Sequence, residues 1–310
     1  MSDTRRTALI AIDWGTTSAR AYRLDAAGDV CATRSAPLGI KAIQDGQFRA
    51  ALDALLEDWR DDAAPRIACG MIGSRQGWIE APYVACPADL AGLGRTLTAT
   101  PDGELAIVPG ARCLDAAGIP DVMRGEETQL AGALRHDDVR VLAVLPGTHS
   151  KWAIVERGVL VDFATFMTGE LYAVLLAHSI LGRMAGEGAG SAPAGGTAFT
   201  QGVARGSAGD GLAHAIFGAR TLALTGDLAP GEVGDWLSGV LIGDEIRAAR
   251  GWARERGADA ADVRVIGDDV IVARYVRALG AVGVRAEAGP AAAAAQGLFR
   301  IAQHAGLLSP

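Results

Sequence analysis

Short apolar runs separated by polar turns open the chain and predict the first strands of a sheet. These runs cover residues 8–12, 20–24, 30–35 and 66–72. Before the fourth run, residues 47–59 place Phe48, Leu52 and Leu55 at helical spacing with charges between them, which indicates an amphipathic helix. A short helix is predicted over residues 126–134.

The second half of the chain repeats this order. Its predicted strands cover residues 141–145, 152–155 and 159–166, and a helix follows over residues 170–184. Residues 186–197 are rich in Gly, Ala, Ser and Pro and predict a flexible surface loop. The remaining predicted elements are a strand over 263–266 and helices over 236–250, 270–279 and 291–303.

One loop chemistry occurs in both halves, after the first strand of each. The two loops are Gly15-Thr16-Thr17-Ser18 and Gly147-Thr148-His149-Ser150, which lie 147 − 15 = 132 residues apart. Glycine permits a sharp turn, and the following hydroxyls and backbone N–H groups are donors for a phosphate. The recurrence favours phosphate loops over ordinary polar turns and suggests a nucleotide held by two related domains.

The residues that flank these loops add charge. Asp13 ends a buried strand, where a carboxylate suits Mg²⁺ beside nucleotide phosphates, although a turn aspartate is the alternative. Lys151 follows the second loop and suits phosphate binding, with a solvated strand residue as the alternative. His149 either donates a hydrogen bond to a phosphate or is an ordinary turn histidine. No Gly-Lys-Ser/Thr sequence is present, which excludes a P-loop.

Three further segments carry candidate chemistry. Glu126 and Glu127 open a helix; one of them accepts the proton of an attacking hydroxyl, or both simply complement the helix dipole. Gly267 and Asp268 precede another helix and suit an adenosine or phosphate contact, or a helix cap. A cationic, amide and aromatic cluster suits a polyhydroxy acid, or is a surface loop with a packed Trp; it comprises Arg75, Gln76, Trp78 and Tyr83, with Arg124 as a second cation.

Composition narrows the class of protein. The 310 residues are 50% hydrophobic, which supports two domains with real cores. The net charge of −7 disfavours a nucleic-acid binder. The four cysteines form no C-x-x-C pair, and no apolar stretch is long enough for a membrane span, so we expect a cytoplasmic protein with free thiols.

The chain resembles the 2-dehydro-3-deoxygalactonokinases of the sugar kinase/Hsp70/actin superfamily over nearly its whole length. The segments that carry the resemblance are 12–17, 70–78 with Tyr83 and Pro87, 124–129 and 145–152. The resemblance implies an α/β fold of two ribonuclease H-like domains with an interdomain cleft. We place the first domain at residues 1–135 and the second at residues 136–310. We leave open whether the last helix packs back on the first domain and whether the chain forms a homodimer.

The resemblance also implies the reaction: ATP and Mg²⁺ are used to phosphorylate the 6-hydroxyl of 2-dehydro-3-deoxy-D-galactonate in galactonate breakdown. Related kinases have a Gly-Asp pair that supplies the catalytic base, and the matching pair here is Gly125-Glu126. The base is therefore expected to be Glu126, with Glu127 as the alternative.

Two rival functions remain. The first is a kinase for another acid sugar, such as 2-dehydro-3-deoxygluconate. The second is a non-catalytic nucleotide-sensing or sugar-sensing module on the same fold. Such a sensor would need a helix-turn-helix segment, and a chaperone-like ATPase would need a peptide-binding domain; we expect neither in this length.

Overall fold

The computed structural model describes residues 6–185, 196–259 and 262–308. The chain forms two compact units, of which the first comprises Met1–Val139, Val155–Asp162 and Ala292–Pro310, and the second comprises Arg140–Ile154 and Phe163–Ala291. Most of the flexible loop predicted over 186–197 lies outside the described residues. No helix in the described ranges is both long and apolar enough to cross a membrane.

Strands occur in both halves of the chain. They are β1 (Leu9–Trp14), β2 (Ala19–Leu24), β3 (Val30–Ala36), β4 (Arg66–Gly70), β5 (Tyr83–Ala85), β6 (Ala88–Asp89), β7 (Thr98–Ala99), β8 (Ala106–Ile107), β9 (Gly110–Leu114), β10 (Pro120–Met123), β11 (Val141–Leu145), β12 (Ser150–Glu156), β13 (Val159–Phe166), β14 (Asp262–Val265) and β15 (Arg285–Ala288).

The α-helices fall mainly in the second half. They are α1 (Phe48–Leu56), α2 (Glu126–Ala133), α3 (Thr168–His178), α4 (Ile180–Ala185), α5 (Thr197–Ser207), α6 (Leu212–Thr225), α7 (Val233–Glu255), α8 (Asp269–Ala281) and α9 (Ala293–His304).

The two main sheets share the order of five of their six strands when the second sheet is read in reverse. The first sheet runs β3-β2-β1-β4-β8-β7, and the second runs β15-β14-β11-β12-β13-β6. In both, the first strand of the half lies between the second and the fourth, with an antiparallel β1–β2 pair and parallel β1–β4 and β11–β14 pairs. This common order is the structural form of the repeat seen in the sequence. A small third sheet, β10-β9-β5, belongs to the first unit.

Two predicted helices differ from the observed ones. The helix predicted over 47–59 ends at Leu56, and a 3₁₀ turn over Glu57–Asp61 buries Trp59. The prediction of one helix over 170–184 is wrong because the chain is extended at Ser179. The Ser179 hydroxyl accepts the N–H of Leu181 and donates to the carbonyl of Leu175, so the side chain competes with the helical ladder.

Glycines bring α5 and α7 into close contact in the second unit. A Cβ on Gly202 would lie 2.1 Å from the Trp236 carbonyl oxygen, and one on Gly239 would lie 2.2 Å from that of Phe199. These distances are too short for any side chain, so the two helices pack backbone against backbone at these glycines. This contact fixes α7, which carries a buried carboxylate described below. The pattern analysis had assigned no helix to α5 or α6.

A similar glycine contact holds α2, the helix that carries both candidate bases. A Cβ on Gly132 of α2 would lie 1.9 Å from the Ala293 carbonyl oxygen, and one on Gly297 of α9 would lie 1.9 Å from that of Thr128. The Arg300 guanidinium also donates to the carbonyls of Ala131 and Leu134 at the end of α2. The final helix therefore packs along α2 from Thr128 to its carboxyl end, within the first unit.

Candidate active site

Asp13 lies at the carboxyl end of β1, in register with Cys69 of the parallel strand β4. The Cys69 thiol donates to its Oδ1 atom at 3.9 Å. Burial raises the pKa of Asp13, while the Arg20 charge and the thiol contact oppose the rise. Gly70 follows with φ +91°, and a Cβ there would lie 2.7 Å from the Trp14 carbonyl oxygen, so only glycine fits beside this strand end.

The first predicted phosphate loop is fastened through its backbone. The Ile40 N–H donates to the Gly15 carbonyl at 3.1 Å, and the Lys41 N–H donates to that of Thr16 at 3.2 Å. These bonds leave the Thr17 and Ser18 side chains exposed and Thr16 half-buried. Hydrogen bonds from residues 40 and 41 thus hold the loop backbone, while the side chains of Thr17 and Ser18 face solvent.

The second predicted loop has the same arrangement in the second unit. Gly147, Thr148 and His149 are exposed, and the Glu170 N–H donates to the Thr148 carbonyl at 2.9 Å. The His149 ring contacts the Glu170 carboxylate. The start of α3 therefore supports this loop.

Each loop rests against a glycine that the sequence analysis missed. A Cβ on Gly39 would lie 2.3 Å from backbone atoms of Thr17, and one on Gly169 would lie 2.3 Å from the Gly147 carbonyl oxygen. We call Gly39 and Gly169 the backing glycines. Each follows the last residue of the third strand of its half by three positions, because β3 ends at Ala36 and β13 at Phe166. That repeated spacing was the signal that could have revealed them.

The last two residues of the second loop region point inward. Ser150 is fully buried, and its hydroxyl lies 2.9 Å from that of Tyr275. Lys151 is only 6% exposed and donates to the Thr165 hydroxyl at 2.9 Å. The solvated alternative for Lys151 is therefore wrong, because both faces of β12 are buried.

The predicted adenosine region lies beside the second loop. The Ile266 N–H donates to the Val144 carbonyl at 2.9 Å, and a Cβ on Gly267 would lie 3.7 Å from the Pro146 carbonyl oxygen. The Asp268 carboxylate accepts the Val270 N–H at 3.1 Å and so caps α8. The capping alternative for Asp268 is thus observed, and its contact with nucleotide stays a prediction.

Glu126 and Glu127 both turn back over the start of α2 but differ in burial. The Glu126 carboxylate is half-buried and accepts the Arg124 N–H at 3.0 Å. Glu127 is fully buried; it accepts the Gly125 N–H at 2.7 Å and the Thr128 hydroxyl at 2.9 Å. Burial and the neighbouring Glu126 charge raise the pKa of Glu127 to about 7.

The structure brings the candidate base helix to the candidate metal ligand. A Cβ on Gly125 would lie 3.1 Å from the Gly70 Cα atom, and one on Gly70 would lie 3.5 Å from Asp13 Oδ1. Burial raises the pKa of the Cys69 thiol, and the negative charges of Asp13, Glu127 and Glu126 add to the rise. The ends of β1 and β4 and the start of α2 thus form one acidic site in the first unit.

Arg124 and Tyr83 of the predicted sugar-binding cluster are in contact. The Arg124 guanidinium lies 4.3 Å from the centre of the Tyr83 ring, and its Nη2 atom donates to the Ala81 carbonyl at 2.7 Å. Arg124 is only 9% exposed, and within the described residues its Nε and Nη1 atoms have no hydrogen-bond partner. The buried Ser74 hydroxyl is likewise unpartnered there, a feature that sequence patterns do not reveal.

The other cluster members lie in different surroundings. The Arg75 side chain is 87% exposed and pairs with Glu80 at 3.7 Å, and Gln76 is exposed. Trp78 is half-buried and stacks on Phe48 with ring centres 6.3 Å apart. The packed-tryptophan alternative is therefore observed for Trp78.

The repeated sheet order, with a glycine-threonine loop after the first strand of each half, defines a protein of the sugar kinase/actin-like ATPase fold. The activator of the 2-hydroxyisocaproyl-CoA dehydratase from Clostridium difficile, solved with bound ADPNP, shares this fold. It has a TM-score of 0.51 at 11% identity, covering 96% of this chain and 95% of the activator.

Within that class, the chain belongs to the 2-keto-3-deoxy-galactonokinase family, whose model matches residues 13–301. It is 36% identical to the 2-dehydro-3-deoxygalactonokinase of Escherichia coli (strain K12), over 88% of this chain and 90% of that one. It is 41% identical to a probable 2-dehydro-3-deoxygalactonokinase of Rhizobium meliloti (strain 1021), over 77% and 79%. A crystal structure of a Sinorhizobium meliloti protein assigned the same kinase name superposes with a TM-score of 0.87 at 36% identity, over 97% and 98% of the chains. Membership of a kinase family implies ATP as the phosphoryl donor.

Proposed function

We propose that the protein transfers the γ-phosphoryl group of ATP to the 6-hydroxyl of 2-dehydro-3-deoxy-D-galactonate, a step in D-galactonate breakdown. The relatives named for this reaction support the substrate. The observation that carries the chemistry is the acidic site in the first unit, where the Glu126 helix start adjoins Gly70 and Asp13. A hydroxyl nucleophile needs such a carboxylate to accept its proton.

The two loops are our candidates for the phosphate contacts. Gly15, Thr16, Thr17 and Ser18 supply them in the first half, and Gly147, Thr148 and His149 supply them in the second. The exposed residues Thr17, Ser18 and Thr148, on a backbone held by hydrogen bonds from behind, support this role. We place Lys151 nearby as a fixed positive charge, and Gly267 and Asp268 near the adenosine. We also propose that residues 1–135 and 136–310 form the two functional domains, with one loop in each.

Asp13 is the candidate ligand for Mg²⁺. The described residues contain no group of three or more His, Cys, Asp or Glu side chains that could hold a metal. A single carboxylate nevertheless fits this ion, because Mg²⁺ is commonly held by one or two carboxylates together with substrate phosphates and water. When bound, the ion would neutralise charge on the transferring phosphates. Burial raises the pKa of Asp13 by disfavouring its charged form, and a bound cation would stabilise that form.

Glu126 is the better candidate for the catalytic base. Glu127 is fully buried, and its oxygens already accept the Gly125 N–H and the Thr128 hydroxyl. A base must reach the hydroxyl it deprotonates, which a half-buried carboxylate can do and a fully enclosed one cannot. We therefore propose that Glu126 accepts the proton and that Glu127 holds the helix start in place.

Arg124 is our candidate for binding the substrate carboxylate, in preference to Arg75. A buried guanidinium with two unpartnered nitrogens gains more from a carboxylate than an exposed one already paired with Glu80. Tyr83 beneath the guanidinium keeps its plane fixed. The Ser74 hydroxyl, with Gln76 and Trp78 on the same loop, is available for the sugar hydroxyls and the apolar sugar face.

Matched variants separate the two arginines. Arg124→Gln is expected to raise the KM for the acid sugar by about tenfold to a hundredfold, as for a lost charge-assisted hydrogen bond. Arg75→Gln is expected to change that KM less than about threefold. Steady-state kinetics with ATP in excess measures both. A larger effect from Arg75→Gln would reverse the assignment.

An ADP-release assay with ATP, Mg²⁺ and 2-dehydro-3-deoxygalactonate tests the proposed reaction. The wild-type protein should release ADP only when the acid sugar is present, and Asp13→Ala should abolish the release. Wild-type turnover no higher than that of Asp13→Ala would reject the kinase. Turnover with 2-dehydro-3-deoxygluconate alone would keep a kinase but reject the substrate.

A further inference from the structure

A carboxylate outside every predicted site lies buried beneath the second phosphate loop. Glu245 is on α7 in the second unit and is 2% exposed. Burial raises its pKa, and hydrogen bonds from four side chains oppose that rise. Burying a carboxylate costs free energy unless its oxygens are fully hydrogen-bonded. The hydrogen-bond partners of Glu245 therefore identify the segments that it fixes in place.

The partners come from three separate segments. The Trp152 indole N–H donates to Oε1 at 2.8 Å, and the Tyr275 hydroxyl donates to Oε2 at 2.8 Å. The hydroxyls of Thr168 and Ser150 also hydrogen-bond the carboxylate. One side chain of α7 thereby joins β12, α3 and α8.

The hydroxyl of Tyr275 links Ser150 to Glu245. A phenol has one proton to donate, and here it goes to the carboxylate. The Ser150 hydroxyl lies 2.9 Å from that of Tyr275 and shares its one proton between this oxygen and the Glu245 carboxylate. Ser150, the last residue of the Gly147–Ser150 loop, is in this way tied to the core.

These contacts reach the loop from both of its sides. Ser150 and Trp152 continue directly from the loop into β12. Thr168 opens α3 and is followed by Gly169, the backing glycine that contacts Gly147. The next residue, Glu170, donates its N–H to the Thr148 carbonyl. Both the exit of the loop and the segment behind it are thus fixed to one carboxylate.

We propose that Glu245 is the positioning residue of the second phosphate loop, holding Gly147–Ser150 in the conformation that binds the phosphates of the nucleotide. This inference rests on the proposed use of ATP but not on the identity of the sugar. It gives Ser150 a role as loop anchor, and it adds Glu245, Tyr275, Thr168 and Trp152 to the residues that nucleotide binding requires. The alternative is a polar core network that stabilises the unit without affecting the loop.

Nucleotide affinity measured without sugar separates the two. The probes are Mg²⁺ with adenylyl imidodiphosphate, which has three phosphate positions, and AMP, which has one. Glu245→Gln and Tyr275→Phe should each weaken adenylyl imidodiphosphate binding by about tenfold, as expected for a disturbed buried hydrogen bond, and leave AMP binding within about twofold. The matched control is Asp244→Asn, the adjacent residue on α7, whose half-buried carboxylate pairs with Arg247; its affinities should equal those of the wild type.

Each outcome decides the proposal. Selective loss of adenylyl imidodiphosphate affinity in both variants supports it. Equal loss for both nucleotides, or no loss in a folded variant, overturns it in favour of a core network. If Glu245→Gln does not fold, Tyr275→Phe and Ser150→Ala decide, because each removes only one oxygen. Failure of the proposed function would look different: wild-type protein would bind nucleotide but not phosphorylate the acid sugar.

Discussion

The two glutamates at the start of α2 show how packing gives adjacent residues different surroundings, and we propose different roles for them. The carboxylate of Glu127 is enclosed and accepts hydrogen bonds from Gly125 and Thr128, whereas that of Glu126 is half-buried. A Gly-Glu-Glu sequence does not separate these roles, because both residues lie in the first turn of the same helix. Only the packing of α9 and the ends of β1 and β4 around α2 decides which carboxylate stays accessible.

The first prediction concerns the base. Glu126→Gln should lower kcat by about a hundredfold to ten-thousandfold, because it removes the proton acceptor while keeping the shape of the side chain. Affinity for adenylyl imidodiphosphate should stay within about twofold of wild type. Single-turnover kinetics and nucleotide titration measure the two quantities. If Glu127→Gln, and not Glu126→Gln, shows this pattern, the assignment of the base is wrong.

The second prediction concerns pH and Glu127. An unfolded glutamate ionises near its ordinary pKa of 4.5, but the folded protein keeps Glu127 protonated up to a pKa of about 7. The stability it contributes is therefore fully present below pH 4.5 and is lost as pH rises to about 7, by about 3 kcal/mol in total. In urea unfolding from pH 4.5 to 7.5, the unfolding free energy of Glu127→Gln should fall by about 3 kcal/mol less than that of wild type, because Asp13 and Glu245, whose pKa values burial also raises, keep their own pH dependence.

The control for that prediction is Glu255→Gln, whose parent side chain is 78% exposed. Its unfolding free energy should follow wild type at every pH. A fall in Glu127→Gln as large as that of wild type would show that Glu127 does not cause the pH dependence.

Among the elements, the two candidate phosphate loops are held by the residues packed behind them. Gly39 and Gly169 occupy the same place in the two halves, three residues beyond the third strand, and both contact loop backbone too closely for any side chain. The loops themselves were predictable because glycine, hydroxyls and an apolar strand form a local pattern. The backing glycines were not, because their role depends on a contact with residues more than twenty positions away.

The third prediction tests that contact. Gly39→Ala and Gly169→Ala should each weaken nucleotide binding by about tenfold, because a Cβ would displace the loop backbone. Gly231→Ala is the control, since a Cβ there meets nothing within 4 Å. Titration with adenylyl imidodiphosphate measures all three. Wild-type affinity in both loop variants would show that the loops tolerate displacement.

The fourth prediction concerns the α5–α7 contact. Gly239→Ala should lower the free energy of unfolding by about 1–3 kcal/mol, because a Cβ would lie 2.2 Å from the Phe199 carbonyl oxygen. Gly251→Ala, on the same helix but in open space, should raise it by about 0.5–1 kcal/mol. Urea denaturation compares the two. Equal effects from both substitutions would contradict a close helix crossing.

At the scale of the whole molecule, the repeat in sequence predicted the repeat in fold. Strands β1 to β3 and β11 to β13 were visible as apolar runs, and their shared order confirms the ribonuclease H-like α/β architecture. Helices α5 and α6 were missed because glycines and alanines form much of their buried faces, and these small side chains are a weak hydrophobic signal even where they recur at helical spacing, as in α5. Glu245 was missed because a single glutamate in a helix resembles any solvated residue until its partners are known.

The chemistry of the product tests the central claim most directly. Wild-type protein incubated with ATP, Mg²⁺ and 2-dehydro-3-deoxygalactonate should yield one phosphorylated acid sugar per ADP, with phosphorus–carbon coupling in the NMR spectrum placing the phosphate on the 6-oxygen. The C4 epimer, 2-dehydro-3-deoxygluconate, should react more slowly. ADP formed without a phosphorylated sugar, or phosphate on another oxygen, would contradict the account.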